Sequence, residues 1–234
     1  MELRGPEHRL DPEALLLAMK RPPSWDWKTF AGSQPALKYA KRDLPTMDRA
    51  LRLCTGRHCC VQAGGCLGIF PKYLARYFRT VHTFEPSAAL FPVLCANAPE
   101  KNIKRHHAAL GMTHDGIDTS QTRRGSKGHR FPHEGITHVS GAGSIPTMLV
   151  DDLQLPHCEF LCLDLEGFEL FALIGARMTI ERCRPVIMVE INENIEFYGH
   201  VGDEVRSLLT VHGYRLSFRL HSDEVYVPSE RSAA

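Results

Sequence analysis

An apolar run, Cys59-Cys60-Val61, passes directly into Gln62-Ala63-Gly64-Gly65-Cys66-Leu67-Gly68 and then Ile69-Phe70-Pro71, and no other stretch narrows the possible folds as far. The first piece reads as a buried strand. Gly64, Gly65 and Gly68 permit a sharp turn and let the backbone approach a ligand with no Cβ in the way. Pro71 suits a first helical turn, and Leu74, Ala75 and Phe78 continue at a spacing that lays one helix face on a sheet. Strand, glycine turn and helix in that order predict an α/β domain in which the helix N-terminus points at whatever the turn cradles.

The next segment strengthens the prediction. Thr80 to Phe84 is β-rich and ends on Glu85-Pro86. Glu85 follows Gly64 by about 20 residues, the interval at which a Rossmann-like unit presents a carboxylate to ribose hydroxyls. The plainer alternative is a solvated acid before a turn. Ser87 is placed to cap a helix with Leu90, Phe91, Leu94 and Cys95 on its buried side and a kink at Pro92. Ile103 to His106 reads as a third strand with a small-residue exit, His107-Ala108-Ala109.

Two later runs share one design. Phe160-Leu161-Cys162-Leu163 is apolar throughout, as strands buried on both faces are, and ends on Asp164 and Glu166. Val186 to Val189 does the same and ends on Glu190 and Asn192. Ligands of open α/β sheets bind beyond the carboxyl ends of the strands, so these acids are expected at one crevice with Gly64 and Glu85. Neighbouring carboxylates raise one another's proton affinity and can supply a general base. Alternatively, Glu166 or Glu169 serves only the N-terminus of the following helix, expected over 170–182. A helix over 203–212 and alternating runs around Tyr214–Arg219 and Glu224–Val227 predict an antiparallel terminal hairpin.

Upstream, Asp11-Pro12 would start a helix that stops at Pro22-Pro23. The segment from Ser24 to Lys41 carries Trp25, Trp27, Phe30 and Tyr39 without a clean period and is expected to brace the sheet. A further helix is predicted from Pro45 to Leu53. The expected division is therefore an N-terminal helical extension over 1–57 and a main domain over 58–234. Residues 112–143, polar and too long for an ordinary connection, form either an extra hairpin or a lid.

A net charge of +1 with 24% charged residues excludes a global argument for nucleic acid or an anionic membrane surface. The basic cluster from Arg123 to Arg130 reads as a solvated loop. No apolar run is long enough to span a bilayer and the first residues lack a signal peptide's apolar stretch, so a cytoplasmic protein is expected. Among eight cysteines, Cys59, Cys60, Cys95, Cys162 and Cys183 lie in apolar surroundings, and reduced thiols are expected. Neither these nor His129, His133 and His138 have a metal-ligand spacing, so no metal is expected; the alternative is a divalent ion held by Asp164 and a second acid, which would lower the pKa of an acceptor hydroxyl. The oligomeric state cannot be read.

Taken together, the motifs resemble the FkbM family of S-adenosylmethionine-dependent methyltransferases. The family's V-D-V-G-A-N-x-G is matched by Val61 to Gly68, its F-E-P by Phe84-Glu85-Pro86, and its N-A-A-L by His107 to Leu110. Its I-D-V-E-G-x-E is matched by Leu163 to Glu169, its L-x-G-A by Leu173 to Ala176, and its R-P by Arg184-Pro185 ahead of Glu190. The resemblance runs over about 58–227 and departs at Gln62 and Cys66, where an acid and an asparagine are usual. It implies a class I methyltransferase fold, a seven-stranded mostly parallel sheet with an antiparallel terminal hairpin. It further implies that Gly64, Gly65 and Gly68 pass under the methionine part of S-adenosylmethionine, that Glu85 with Pro86 holds the ribose, and that His107, Ala108 and Ala109 border the adenine. Gln62 would meet a cofactor amine through its carbonyl oxygen, and Cys66 would serve through its backbone.

The expected chemistry is methyl transfer to a hydroxyl of a sugar or small metabolite, with Asp164 taking the proton and Glu166 and Glu190 assisting. Two other readings stay open. The first is a binding module with this fold and no catalysis, raised by Gln62 and Cys66. The second is a nicotinamide-dependent oxidoreductase, disfavoured by the lack of G-x-G-x-x-G spacing and by the terminal hairpin.

Overall fold

The computed structural model describes residues 33–120, 122–124, 130–132 and 138–229. The helix expected after Asp11, both tryptophans, His129, His133 and much of the basic cluster lie outside them. Strands β1 (Cys59–Ala63), β2 (Thr80–Phe84) and β3 (Ile103–His106) form one half of a seven-stranded sheet. β10 (Phe160–Leu163), β11 (Val186–Glu190), β12 (Tyr214–Leu220) and β13 (Asp223–Pro228) form the other half. The order is β12-β13-β11-β10-β1-β2-β3. Every neighbouring pair from β11 to β3 is parallel, whereas β13 runs antiparallel to both β11 and β12. The sheet and its terminal hairpin are those expected.

Residue alternation along the strands divides the apolar side chains between the two faces. Cys60, Phe160, Val186 and Val225 pack on one side with Met47, Leu51, Leu74 and Phe78. Val61, Leu161, Ile187 and Tyr226 pack on the other with Leu173, Ile180, Val205 and Leu209. The first face is covered by α1 (Ser33–Leu51), α2 (Ile69–Leu74) and α3 (Phe91–Asn97), the second by α4 (Glu169–Ile174), α5 (Arg177–Cys183) and α6 (Gly202–Val211).

Several local expectations require correction. The helix predicted to begin at Pro45 begins at Ser33 and carries Pro45 in its interior on an exposed position. Leu44, Met47, Ala50 and Leu51 of this helix are buried, so it shares a core with the sheet across the 57/58 boundary. Pro92 does not kink α3, because it occupies the first turn, where no intrahelical N–H is lost. On that helix Phe91 and Cys95 are only half-buried, and Val93, Leu94 and Asn97 face inward. The helix expected over 170–182 divides into α4 and α5 at Gly175, where a Cβ would lie 1.9 Å from the Gly111 carbonyl oxygen.

The 112–143 segment takes the hairpin form. Strands β5 (Ile117–Ser120) and β8 (His138–Ala142) pair antiparallel, as do β6 (Thr122–Arg124) and β7 (Arg130–Pro132). Short strands β4 (Ala109–Leu110) and β9 (Thr147–Met148) close its base. The eight cysteines are free thiols; Cys158 joins Cys59, Cys60 and Cys162 in the interior, whereas Cys95 and Cys183 are partly exposed. No helix among the described residues is long and apolar enough to cross a membrane.

Candidate functional site

The carboxyl ends of the parallel strands bring the glycine turn and the sequence-predicted acids to one edge of the sheet. Gly64 and Gly65 both donate their N–H groups to the Phe84 carbonyl, at 3.2 and 2.9 Å, which ties the turn after β1 to the end of β2. On its other side the turn meets β10. Gly64 has φ +84, and a Cβ there would stand 2.0 Å from the Asp164 carbonyl oxygen. At Gly65 the corresponding space holds Leu94 Cδ1, at 2.2 Å. The missing side chains thus make room for the protein's own atoms, a requirement that the sequence reading assigned to a ligand.

Glu85 is buried and already engaged by the turn. One carboxylate oxygen accepts from the Cys66 N–H at 2.7 Å and the other from the Ser87 N–H at 2.8 Å. Burial pushes the carboxyl up to about 7, against the lowering effect of those two N–H groups. Each oxygen retains a second lone pair for a hydroxyl donor. Cys66 takes φ +46 and contributes its backbone, while its thiol is pushed up to about 12, mainly by burial and then by Glu85. Beyond β3, His107 is exposed and stacks on Phe91 at 4.7 Å, whereas Ala108 and Ala109 are buried; Pro86 is half-buried at the end of β2.

Gln62 has a different position from the one expected. It is fully buried, with its carbonyl oxygen accepting from Thr83 Oγ1 at 2.6 Å and its amide donating to the carbonyls of Ala63 and Gly64 at 3.1 and 2.9 Å. Its side chain points into the scaffold and holds the turn, because an amide can donate to two carbonyls and accept a hydroxyl together.

The acids form a second group. Asp164 follows β10, and Glu190 ends the adjacent β11, where it pairs with Asp223 of β13. Asp164 is pushed well above the usual carboxylate range by burial, then by Glu190, Glu166, Asp223 and Glu169. Asp223 rises to about 8 through burial, Asp43 and Glu190, with Arg42 acting in the opposite sense. Its Oδ2 is buried without a hydrogen-bond partner. Glu190 accepts from Ser222 Oγ at 2.8 Å and lies 3.9 Å from the Arg42 guanidinium, which also pairs with Asp43. Helix α1 therefore brings a cation and an acid to this edge.

Glu166 and Glu169 part company. Glu166 adopts φ +54, a costly conformation for a residue with a Cβ, and accepts from Asn194 Nδ2 at 2.6 Å. Glu169 is buried and accepts from the N–H groups of Leu165 and Gly167, at 2.7 and 3.2 Å. The helix-terminus alternative thus describes Glu169, whereas Glu166 lies near enough to Asp164 to raise its proton affinity. Close by, Phe168 packs on Phe171 and Tyr198, whose hydroxyl accepts from the Val139 N–H of the inserted hairpin at 2.9 Å.

Sequence reasoning missed Thr83, Asn194, Ser222, Asp223, Arg42 and Asp43. Asp223 carried a faint signal as an acid beside the predicted hairpin turn. Arg42 and Asp43 carried none, since the helix that bears them had no legible start.

Comparison with known proteins adds the following. The family described as the Methyltransferase FkbM domain matches residues 65–216, well over half of the chain. No curated protein matches. Among solved structures, similarity is found to an FkbM methyltransferase from Methylobacillus flagellatus KT, with 18% identity and TM-score 0.49 over 73% of this chain. This chain spans 43% of that protein's length. A ribosomal protein L11 methylase from Lactobacillus delbrueckii subsp. bulgaricus aligns with 8% identity and TM-score 0.49, over 82% of this chain and 80% of that one. The N-methyltransferase NodS from Bradyrhizobium japonicum WM9, in complex with S-adenosyl-L-homocysteine, aligns with 10% identity and TM-score 0.45, over 92% and 95%. On the extent of the domain match, this chain belongs to the FkbM family of S-adenosylmethionine-dependent methyltransferases.

Proposed function

We propose that this protein transfers a methyl group to a hydroxyl of a small metabolite or glycan at the edge where the glycine turn meets the acids. The observation that carries the proposal is the direct packing of Gly64 on the Asp164 carbonyl, which sets a nucleotide-type turn against a crowd of carboxyl groups. The residues fit S-adenosylmethionine in charge as well as in arrangement. Buried acids with raised proton affinity, and an orphaned Asp223 oxygen, suit a ligand carrying a sulfonium and an ammonium group. When bound, that cofactor supplies an electrophilic methyl group.

In this reading the turn from Gly64 to Gly68 lies under the methionine part, and Glu85 accepts from the ribose hydroxyls with its remaining lone pairs. Glu85 is oriented for this by Cys66 and Ser87. His107 and Ala108 line the adenine side, with Ala109 behind them. Asp164 takes the acceptor's proton. Burial and its neighbours hold the ligand-free carboxyl in its protonated form, and the positive charges of a bound cofactor would favour its ionised form, a strong base able to take the proton. Glu190, steadied by Ser222, and Glu166, steadied by Asn194, keep that affinity high. The inserted hairpin and the Phe168–Tyr198 aromatics form the wall where acceptor choice resides.

Calorimetry with S-adenosylmethionine and NAD, followed by mass spectrometry of candidate glycans and metabolites with labelled cofactor, tests the proposal. Binding of S-adenosylmethionine alone and label on a hydroxyl oxygen are expected. Asp164→Asn is expected to retain cofactor binding and lose turnover by about 100-fold or more. A fully active Asp164→Asn variant sinks the assignment, and a chain that binds no S-adenosylmethionine is a binding module instead.

A further inference from the structure

At the opposite edge of the sheet, where β1 and β10 begin, His58, His157 and Glu159 each bring one ligand atom to within 4.8 Å of the others. The three residues come from segments about 100 positions apart and meet because β1 and β10 are parallel neighbours. Glu159 is held in place: one carboxylate oxygen accepts from the N–H groups of His58 and Cys59, at 3.1 and 2.9 Å. Its other oxygen is left facing His58 Nδ1 at 2.9 Å. Backbone anchoring of this kind is how ligating carboxylates are oriented around metal ions. The His157 ring lies over the His58 ring, with centroids 4.7 Å apart and planes inclined by 26°. Both rings are exposed, and their ligand atoms lie near enough to the Glu159 carboxylate for one ion to reach all three.

We propose that His58, His157 and Glu159 form a surface site for a divalent transition-metal ion of the zinc type, clamping the entry of β1 to the entry of β10. Two imidazoles and one carboxylate are a ligand set for zinc, nickel or copper, whereas calcium and magnesium call for oxygen ligands. A tetrahedral ion would keep its fourth position open to water. The neighbouring sulfurs do not compete, because the Cys59 and Cys158 thiols are buried and face the backbone carbonyls of Cys60 and Phe160. The site is remote from Gly64 and Asp164, and the proposal does not depend on the methyltransferase reading.

The full chain without an affinity tag, stripped by a chelator, would be titrated with zinc and with cobalt at neutral pH. One equivalent should bind, cobalt should give visible bands without a thiolate charge-transfer band, and the melting temperature should rise with metal concentration. His157→Ala and Glu159→Gln should each weaken binding by roughly tenfold or more, and His114→Ala should leave it unchanged. His157 lies in an exposed loop, and circular dichroism verifies that its variant is folded. Undiminished binding in folded His157→Ala, a thiolate band, or no zinc binding by the wild-type chain overturns the proposal.

Discussion

Replacing Gly64 with alanine tests the contact that joins the two halves of the site, and Gly199→Ala supplies its control. Both glycines have positive φ, +84 at Gly64 and +77 at Gly199, so an alanine at either position bears a similar conformational cost of about 1–2 kcal/mol. Their surroundings differ. Around Gly199 nothing lies within 4 Å of the added Cβ, whereas at Gly64 it would stand 2.0 Å from a backbone oxygen of Asp164. No rotamer change relieves a clash between backbone atoms, so one of the two turns has to move, at a further cost of about 1–3 kcal/mol. For a chain of this size each kcal/mol lowers the melting temperature by roughly 2–4 °C. Gly199→Ala should therefore lose about 2–8 °C and Gly64→Ala about 4–20 °C. Thermal and urea denaturation give both values, and calorimetry with S-adenosylmethionine should show weakened binding for Gly64→Ala alone. Equal melting temperatures, or unchanged cofactor affinity in Gly64→Ala, would refute the claim that the turn and Asp164 are packed as one unit.

Glu85, Glu169 and Asp223 have native proton affinities raised to about 7, 7 and 8, so the folded chain binds more protons than the unfolded one between about pH 4 and 8. The stability contribution of these groups is full below their unfolded pKa values and is lost as pH rises through the folded ones. The melting temperature of the ligand-free protein should thus fall from pH 5 to pH 8; Asp223→Asn should flatten that slope and gain at least about 1 kcal/mol at pH 8. A melting temperature that rises over this interval contradicts the buried-acid account. Gln62→Glu restores the acid usual in the family but turns an acceptor toward the carbonyls of Ala63 and Gly64. It should destabilise by about 1–3 kcal/mol without tightening cofactor binding; tighter binding at unchanged stability would show that Gln62 reaches the ligand.

The parallel strands were legible because they are buried on both faces, and Val61, Leu161 and Ile187 sit in runs with almost no polar interruption. The acids were legible because each ends such a run. What stayed hidden depended on contacts between distant segments. Gln62 reads as a strand-end polar group, and only the position of Thr83 on the adjacent strand shows that it faces inward. Pro45 reads as a helix start, since proline favours first turns, yet α1 runs through it where the ring faces solvent. Asp43 and Asp223 are some 180 positions apart, and no local pattern announces that they meet beside Glu190. The Glu159 carboxylate likewise has no sequence signature, because His58 and Cys59, whose N–H groups hold it, precede it by about 100 positions.

The placement of β13 has a bearing on how the site comes into being. It lies between β11 and β12 although it follows both in the chain. During synthesis β11 must therefore present an open edge until residues 223–228 arrive, and an open edge beside apolar strands invites pairing with other chains. Ser222, which holds Glu190, and Asp223, which crowds Asp164, arrive with that same strand. The acidic surroundings of Asp164 are consequently completed only with β13, and a chain shortened before residue 222 would lose them together with Val225 and Tyr226, which belong to the two apolar faces of the sheet.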